Sequence, residues 1–291
     1  MLYTTNQIAS FSQITFRYLL VSLVDHVLTI RLNRPEKKNA LNTALLNELA
    51  FALAYAHYTP DIWMVVLAAE GNVFCAGMDL KSLSRSDGSE ANNEDPERWT
   101  VTVPEPLGPV RLGELMAELH KPCIGQVQGP VLAGGFLLIA GCTHVIAVES
   151  ATFSLPEVKR GLFPFQVMAS LLEIMPARTA MDWCLRGRKV AAPEALALGL
   201  VTDVVINDQL ETALANLVDE LKQFSPTAMQ FGLRAYQQLK SLPRAEWQAF
   251  LHEQFQQIQQ THDAREGMAA FLEKREPKWG GSSEQRSANK Y

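Results

Sequence analysis

Over residues 122–148 the chain runs PCIGQVQGPVLAGGFLLIAGCTHVIAV, without a single Asp, Glu, Lys or Arg. This is long enough for a membrane-spanning helix, which needs about 20 apolar residues. Two prolines, several glycines and His144 interrupt it, however, and a turn at its centre would leave backbone polar groups unsatisfied in lipid. We therefore predict a buried strand, a glycine turn, a buried helix and a second buried strand, with no membrane contact.

The flanking sequence alternates strand and helix patterns. Apolar residues recur at every second position over Val27–Leu32, which is typical of a half-buried strand. Asn42 precedes a run of leucines and alanines at helical spacing and is a good helix N-cap. Further short β-type runs lie at residues 63–69 and 201–206. This order predicts an α/β layered fold with mainly parallel strands.

The character of the chain changes after residue 206. Apolar residues from Leu210 onward follow helical spacing, Ser225 and Pro226 form an N-cap with Pro at the first helical position, and Pro243 and Thr261 introduce two further helices. We divide the chain into a core over 1–206, which would carry the functional site, and a helical region over 207–291 for packing or oligomerisation. Residues 280–291 are expected to fray.

The composition excludes several classes of protein. The 291 residues include 47% hydrophobic residues, enough for a large core, so disorder as the main state is excluded. A net charge of −5 without a dense Lys/Arg block argues against nucleic acid as a partner. The four cysteines are widely spaced and no His lies nearby at metal-ligand intervals, so we expect neither a disulfide framework nor a metal site. Without a secretory signal pattern, a cytoplasmic location fits best.

Two glycine-containing turns are candidates for chemistry. The first covers residues 71–80 and follows the strand ending at Ala69, and the second covers residues 129–135 and opens the buried helix. Unpaired N–H groups at such turns suit an oxyanion or a phosphate. Neither turn has a phosphate-binding fingerprint, and each taken alone favours a structural role.

Taken together with other segments, the turns resemble the crotonase family, the enoyl-CoA hydratases and isomerases. The matching pieces occur in order along nearly the whole chain: Arg34-Pro35 with Asn39-Ala40-Leu41, residues 74–80, Gly129-Pro130 with Gly134-Gly135, residues 153–157, residues 197–201, and Glu266-Gly267 with residues 271–275. The resemblance implies a spiral of ββα units with a C-terminal α-helical trimerisation region, assembled as a homotrimer or homohexamer. It also implies an acyl-CoA thioester substrate and no cofactor beyond the CoA of that substrate.

The resemblance further implies an oxyanion hole made by the backbone N–H groups of Met78 and Gly134, with Glu157 as the catalytic acid and base. Hydratases of the family typically use two glutamates, and the other position is occupied here by Leu137. A single glutamate is the pattern of members that move a proton between two carbons, so double-bond isomerisation is favoured over hydration. Substrate contacts are implied for nine residues: Ala40, Leu41, Ala76, Met78, Asp79, Leu80, Lys81, Gly134 and Pro156.

Several alternatives remain open. Hydration is possible if Glu157 positions water alone, or if a carboxylate from the aperiodic segment 82–109, which we interpret as a lid, supplies the second group; its candidates are Glu94, Asp95, Glu97 and Glu105. A non-catalytic scaffold on the same fold is a second alternative. A serine hydrolase using Ser154 and His144 is a third, although the Gly-x-Ser-x-Gly motif is absent. Apolar walls from Leu162, Phe163 and Phe165 would favour an aliphatic acyl group.

Overall fold

A computed structural model describes residues 1–79 and 103–280. Its main sheet has six strands: β1 Leu19–Val24, β2 Val27–Leu32, β3 Met64–Ala69, β4 Cys123–Val127, β6 His144–Val148 and β9 Asp203–Val205, in the order β1-β2-β3-β4-β6-β9. Only β1 and β2 pair antiparallel in this sheet, and the other neighbours are parallel. The predicted α/β fold with mainly parallel strands is confirmed.

A second, smaller sheet has the order β5-β7-β8, from β5 Val131–Leu132, β7 Thr152–Ser154 and β8 Lys189–Ala191. Strands β5 and β7 are parallel, and β7 and β8 are antiparallel. Two isolated parallel bridges, Leu41 to Met78 and Cys75 to Val131, extend this sheet sideways with single-residue contacts. The small sheet therefore gathers segments that are far apart in sequence.

Helices cover the sheets in the described ranges. Before residue 206 they are α1 Thr5–Ile8, α2 Thr43–Tyr58, α3 Leu112–Ala117, α4 Phe136–Ala140, α5 Phe165–Ile174, α6 Ala177–Arg186 and α7 Ala192–Ala197. Helix α2 begins as predicted, because the Asn42 side chain accepts a hydrogen bond from the Leu45 N–H. Most of its central residues are fully buried, so it is a core helix rather than a surface helix.

The uncharged stretch has the predicted order of elements. Strand β4, the short β5, a 3-10 turn over Ala133–Gly135, helix α4 and strand β6 follow one another between residues 123 and 148. Strands β4 and β6 are neighbours inside the main sheet, which explains why nearly every residue of both is buried. None of the helices in the described ranges is long and apolar enough to cross a membrane.

The C-terminal part is helical, as predicted, with α8 Leu210–Lys222, α9 Pro226–Leu239, α10 Trp247–Ile258 and α11 His262–Glu273. Ser225 and Thr261 cap α9 and α11 through their side chains. Helix α8 packs its apolar stripe on the core near β6. The division at residue 206 and the expected fraying of residues 280–291 stay predictions, and residues 281–291 lie outside the described ranges.

Candidate active site

Four chain segments carry the predicted site residues to one end of the strands of the small sheet. Cys75 pairs in parallel with Val131, and Val131 pairs in parallel with Phe153. Met78 and Gly134 follow their paired residues at the same distance of three positions, and Glu157 follows Phe153 at four. Since parallel strands end on the same side of a sheet, all three residues lie beyond the carboxyl ends of these paired strands. The bridge between Leu41 and Met78 adds the fourth segment.

The backbone N–H groups of Met78 and Gly134 are both available at this end of the small sheet. In the bridge to Leu41, the Gly77 carbonyl accepts from the Leu41 N–H and the Leu41 carbonyl accepts from the Asp79 N–H. No backbone carbonyl of the described residues accepts from the Met78 N–H, which therefore points away from Leu41. Gly134 is the second residue of a 3-10 turn, so its N–H has no acceptor within that turn.

Tight backbone packing fixes these two N–H groups relative to each other. Gly77 has a φ of +85°, and a Cβ atom there would lie 2.6 Å from the Ala133 Cβ and 2.9 Å from the Gly134 nitrogen. Ala133 itself is left-handed, with a φ of +50°. That conformation costs a non-glycine residue about 1 kcal/mol, and such strain is concentrated at functional sites. Gly77 and Ala133 thus hold the Met78 and Gly134 segments in close contact.

Glu157 occupies the third segment, in a 3-10 turn over Pro156–Arg160. Its side chain is half-buried, and its Oε2 atom is buried without a hydrogen-bond partner in the described part of the chain. Burial raises the pKa of the Glu157 carboxyl, while its own backbone N–H and the nearby Arg160 oppose the shift. A carboxyl group with a raised pKa and an unsatisfied oxygen is suited to accept and return a proton.

Leu137 follows Gly134 by one helical turn. It lies on α4, is only 6% exposed, and lines a cavity of about 470 Å³. The carboxylates among the residues that line this cavity are Glu114 and Glu173. Both are largely exposed, and they pair with Arg111 and Lys240 respectively. Neither replaces a glutamate on α4, because each is already paired with a cation at the surface.

Some of the predicted substrate contacts lie in the segments that meet at this end of the small sheet, and others lie outside the described residues. Ala40 and Leu41 run beside the Met78 segment, the Ala76 N–H donates to the Lys38 carbonyl, and Pro156 directly precedes Glu157. Leu80 and Lys81 lie outside the described residues, as do the lid carboxylates Glu94, Asp95 and Glu97. Glu105 is exposed and does not line the cavity.

Asp79 forms an ion pair that the sequence did not suggest. Arg34, 3% exposed, donates from Nη1 to the Asp79 carboxylate and to the Ala40 carbonyl, each at 3.0 Å. Asn39 is buried nearby, and its amide group donates to the carbonyls of Glu70 and Val73. Arg34 and Asn39 thus connect the Ala40 segment to the segment that carries Met78. The feature of the sequence that could have indicated this arrangement is the pair Arg34 and Asn39 on either side of a turn that contains Pro35.

We expect the variant Arg34→Met to lower the free energy of unfolding by about 3 kcal/mol, because it leaves the Asp79 carboxylate and the Ala40 carbonyl without their buried partner. Urea unfolding followed by circular dichroism measures this loss. Arg31→Met is a suitable control, since Arg31 pairs with Glu70 in a much more exposed position. Equal effects of the two substitutions would contradict the assigned role of Arg34.

Three further sequence predictions concern the apolar wall of the cavity, His144 and a metal site. Leu162 and Phe165 are exposed and Phe163 is partly buried, and none of the three lines the cavity, to which α5 contributes other residues. His144, a candidate in the serine-hydrolase alternative, starts β6 with its Nδ1 3.0 Å from the Thr143 hydroxyl. Within residues 1–79 and 103–280, no cluster of His, Cys, Asp and Glu could hold a metal ion.

Known proteins match the chain over most of its length. The profile of the Enoyl-CoA hydratase/isomerase family matches residues 24–282. Enoyl-CoA hydratase EchA19 of Mycobacterium tuberculosis is 33% identical over 261 residues, covering 89% of this chain and 94% of that protein. The 2,3-dehydroadipyl-CoA hydratase of Escherichia coli is 32% identical over 266 residues, covering 90% and 98%.

The crystal structure of an enoyl-CoA hydratase from Mycobacterium smegmatis superposes with a TM-score of 0.78 at 29% identity, covering 90% of this chain and 99% of that one. The chain therefore belongs to the enoyl-CoA hydratase/isomerase family. It has the crotonase fold and is an acyl-CoA enzyme of that family.

Proposed function

We propose that this enzyme moves the double bond of a 3-enoyl-CoA thioester to the 2 position, with Glu157 as its single acid and base. The observation that supports the proposal is the parallel pairing of the segments that lead to Met78, Gly134 and Glu157. By the resemblance to the family, Leu137 stands where hydratases carry a second glutamate. One carboxylate is sufficient for this reaction, because a proton leaves one carbon and returns to another.

The Glu157 carboxylate accepts a proton from C2, and the C–H electron pair moves into the thioester to form a dienolate. The Met78 and Gly134 N–H groups donate to the developing oxyanion, an interaction that is worth about 3 to 4 kcal/mol per donor in other enzymes. Glu157 then returns the proton to C4 as the double bond forms between C2 and C3. CoA is part of the substrate, and no other cofactor takes part.

The raised pKa of Glu157 predicts a pH dependence. Its carboxyl must be ionised to accept the proton, so kcat/KM should rise with pH as the group loses its own proton. Because burial raises the pKa, the midpoint of this rise should lie above the ordinary value of 4.5. Initial rates with a 3-enoyl-CoA between pH 4 and 8 measure it. A midpoint at or below 4.5 would contradict the proposed protonation state.

True hydration is the main alternative, and it needs either water positioned by Glu157 alone or a second carboxylate. The family's curated members named hydratases keep this alternative open. A non-catalytic scaffold on the same fold is the other alternative. Among the residues that the structure describes, the buried Oε2 of Glu157 has no hydrogen-bond partner, and this favours catalysis over a scaffold because an unpaired buried oxygen costs stability.

One experiment separates these possibilities: 3-hexenoyl-CoA and crotonyl-CoA are supplied in parallel to the wild type and to Leu137→Glu. Turnover of 3-hexenoyl-CoA with little hydration of crotonyl-CoA is the expected wild-type result, and Leu137→Glu should gain hydration. Rapid hydration of crotonyl-CoA by the wild type would overturn the single-glutamate proposal. Binding of both thioesters without turnover would favour the scaffold.

We also propose that the chain assembles as a homotrimer or homohexamer. Large apolar side chains are exposed near the C-terminal end, with Phe271 83% and Leu272 79% exposed on α11. Exposed apolar groups of this size on neighbouring residues favour contact with another subunit. Sedimentation should give three or six times the 32.3 kDa of one chain, and a monomer at micromolar concentration would contradict the assembly. A cytoplasmic location stays a prediction from the sequence.

A further inference from the structure

The Met78 N–H lies between two backbone hydrogen bonds to Leu41. The Leu41 N–H donates to the Gly77 carbonyl at 2.8 Å, and the Asp79 N–H donates to the Leu41 carbonyl at 2.9 Å. Because Met78 is the residue between Gly77 and Asp79, a movement of the Leu41 segment changes the direction of the Met78 N–H. That direction therefore depends on the groups that hold the Leu41 segment in place.

Arg34 holds both sides of this bridge with one guanidinium group. Its Nη1 atom lies 3.0 Å from the Ala40 carbonyl oxygen and 3.0 Å from the Asp79 carboxylate. The Arg34 side chain is 3% exposed and the Asp79 side chain 19% exposed, so the ion pair is largely shielded from water. An arginine side chain has many rotamers, and it keeps a single geometry only where its surroundings pack around it.

The ring of Tyr18 supplies part of this packing. The Arg34 Cζ atom lies 5.4 Å from the centroid of the ring, within the range of a cation–π contact. Tyr18 is 6% exposed, so the ring also keeps water away from the cation. Its Oη atom is buried without a hydrogen-bond partner in the described part of the chain. The ring, rather than the hydroxyl, is therefore the group that acts on Arg34.

The backbone of Tyr18 is fixed by hydrogen bonds on both sides. Its N–H donates to the Glu48 carboxylate of α2 at 2.9 Å, beside a bond of 2.8 Å from the Arg17 N–H to the same carboxylate. Its carbonyl accepts from the Asn33 N–H at 2.8 Å, one residue before Arg34. Glu48 is 2% exposed, and hydrogen bonds from N–H groups to a buried carboxylate are strong. The core helix α2 thus determines where the Tyr18 ring lies.

We propose that Tyr18 is a positioning residue of this enzyme. Its ring holds the Arg34 guanidinium in place, and Arg34 in turn fixes the direction of the Met78 N–H in the proposed oxyanion hole. Tyr18 precedes residues 24–282, which are the part of the chain that the family profile matches. The inference rests on the proposed function, because it needs the Met78 N–H as a donor to the thioester oxygen.

Infrared spectroscopy of bound hexanoyl-CoA, labelled with carbon-13 at C1, tests this without turnover. Hydrogen bonds to the thioester oxygen polarise its C=O bond, so the band of the wild-type complex should lie at lower wavenumber than that of the free thioester. In Tyr18→Leu the band should move back towards the free position. The kcat for 3-hexenoyl-CoA should fall about tenfold while Kd changes by about twofold or less. Tyr18→Phe keeps the ring and should keep the wild-type band and kcat.

Phe11→Leu is the matched control. Phe11 belongs to the same N-terminal segment, but it stacks on Tyr55 of α2, with 3.6 Å between the ring centroids, rather than on Arg34. This variant should lose stability and keep the wild-type band and kcat. Arg34→Met should shift the band as Tyr18→Leu does, and the double variant should show no further loss, because both substitutions remove the same contact chain.

A wild-type band in Tyr18→Leu, an equal shift in Phe11→Leu, or losses that add in the double variant would each overturn the proposal. Tyr18→Met, which fills more of the volume of the ring, gives the same test if Tyr18→Leu does not fold. A wild-type complex that absorbs like the free thioester would remove the Met78 donor and this inference with it. A shifted band without turnover of 3-hexenoyl-CoA would count against the proposed function alone.

Discussion

Replacing Glu157 by Gln should lower kcat for 3-hexenoyl-CoA by about a thousandfold, within the range that a positioned acid and base contributes. Gln keeps the shape of the side chain but does not accept the proton from C2. Binding of acyl-CoA should be retained, because the oxyanion donors are backbone groups of other segments. Steady-state kinetics together with calorimetric binding measure both effects.

The same variant should be at least as stable as the wild type at pH 7. Burial raises the pKa of Glu157 above that of the unfolded chain, so the ionised carboxylate is less favourable in the folded state. This cost is present above the folded-state pKa and disappears with Gln. Glu149→Gln is the matched control, an exposed carboxylate whose loss should change neither rate nor Tm. Near-normal kcat in Glu157→Gln would contradict the assignment.

The second large effect is expected for Gly134→Ala, which should lower kcat by about a hundredfold or more. The added Cβ would lie 3.5 Å from the Met78 nitrogen and beside the Gly134 N–H, in the space where the thioester oxygen must sit. Gly134 is not in the left-handed region, and the new contacts are of ordinary length, so the fold should tolerate the methyl group.

Two other glycines provide controls for this variant. At Gly232, within α9, a Cβ meets nothing within 4 Å, so Gly232→Ala should keep full activity and gain about 0.5 to 1 kcal/mol in unfolding free energy. At Gly135 a Cβ would lie 2.9 Å from the Cys75 Cβ, so Gly135→Ala should mainly destabilise. Unchanged kcat in Gly134→Ala with normal stability would contradict the oxyanion role.

Local patterns predicted much of the fold. Strand β2 has the predicted bounds, and Asn42, Ser225 and Thr261 cap the expected helices. These elements were predictable because periodic burial and capping depend on residues close in sequence. The uncharged stretch was correctly divided into strand, turn and helix for the same reason.

Features that depend on distant segments were not predicted. The resemblance implied only a substrate contact for Asp79, which stays a prediction, and gave no sign of its ion pair with Arg34, 45 positions away. The cavity likewise combines α3, α4, α5 and α9, and its lining does not include Leu162, Phe163 or Phe165, which the sequence suggested as apolar walls. Side-chain partners and cavities arise from tertiary packing, which a pattern within one segment does not specify.

The central claim, proton transfer by one glutamate without addition of water, is tested most directly by product analysis in water enriched in oxygen-18. The wild-type enzyme is incubated with 3-hexenoyl-CoA, and the acyl products are identified by mass spectrometry over the first few turnovers. We expect 2-hexenoyl-CoA without oxygen-18 to accumulate as the main product. Formation of 3-hydroxyhexanoyl-CoA that contains oxygen-18 at a comparable rate would contradict the claim, because the same active site would then add water to the 2-enoyl product.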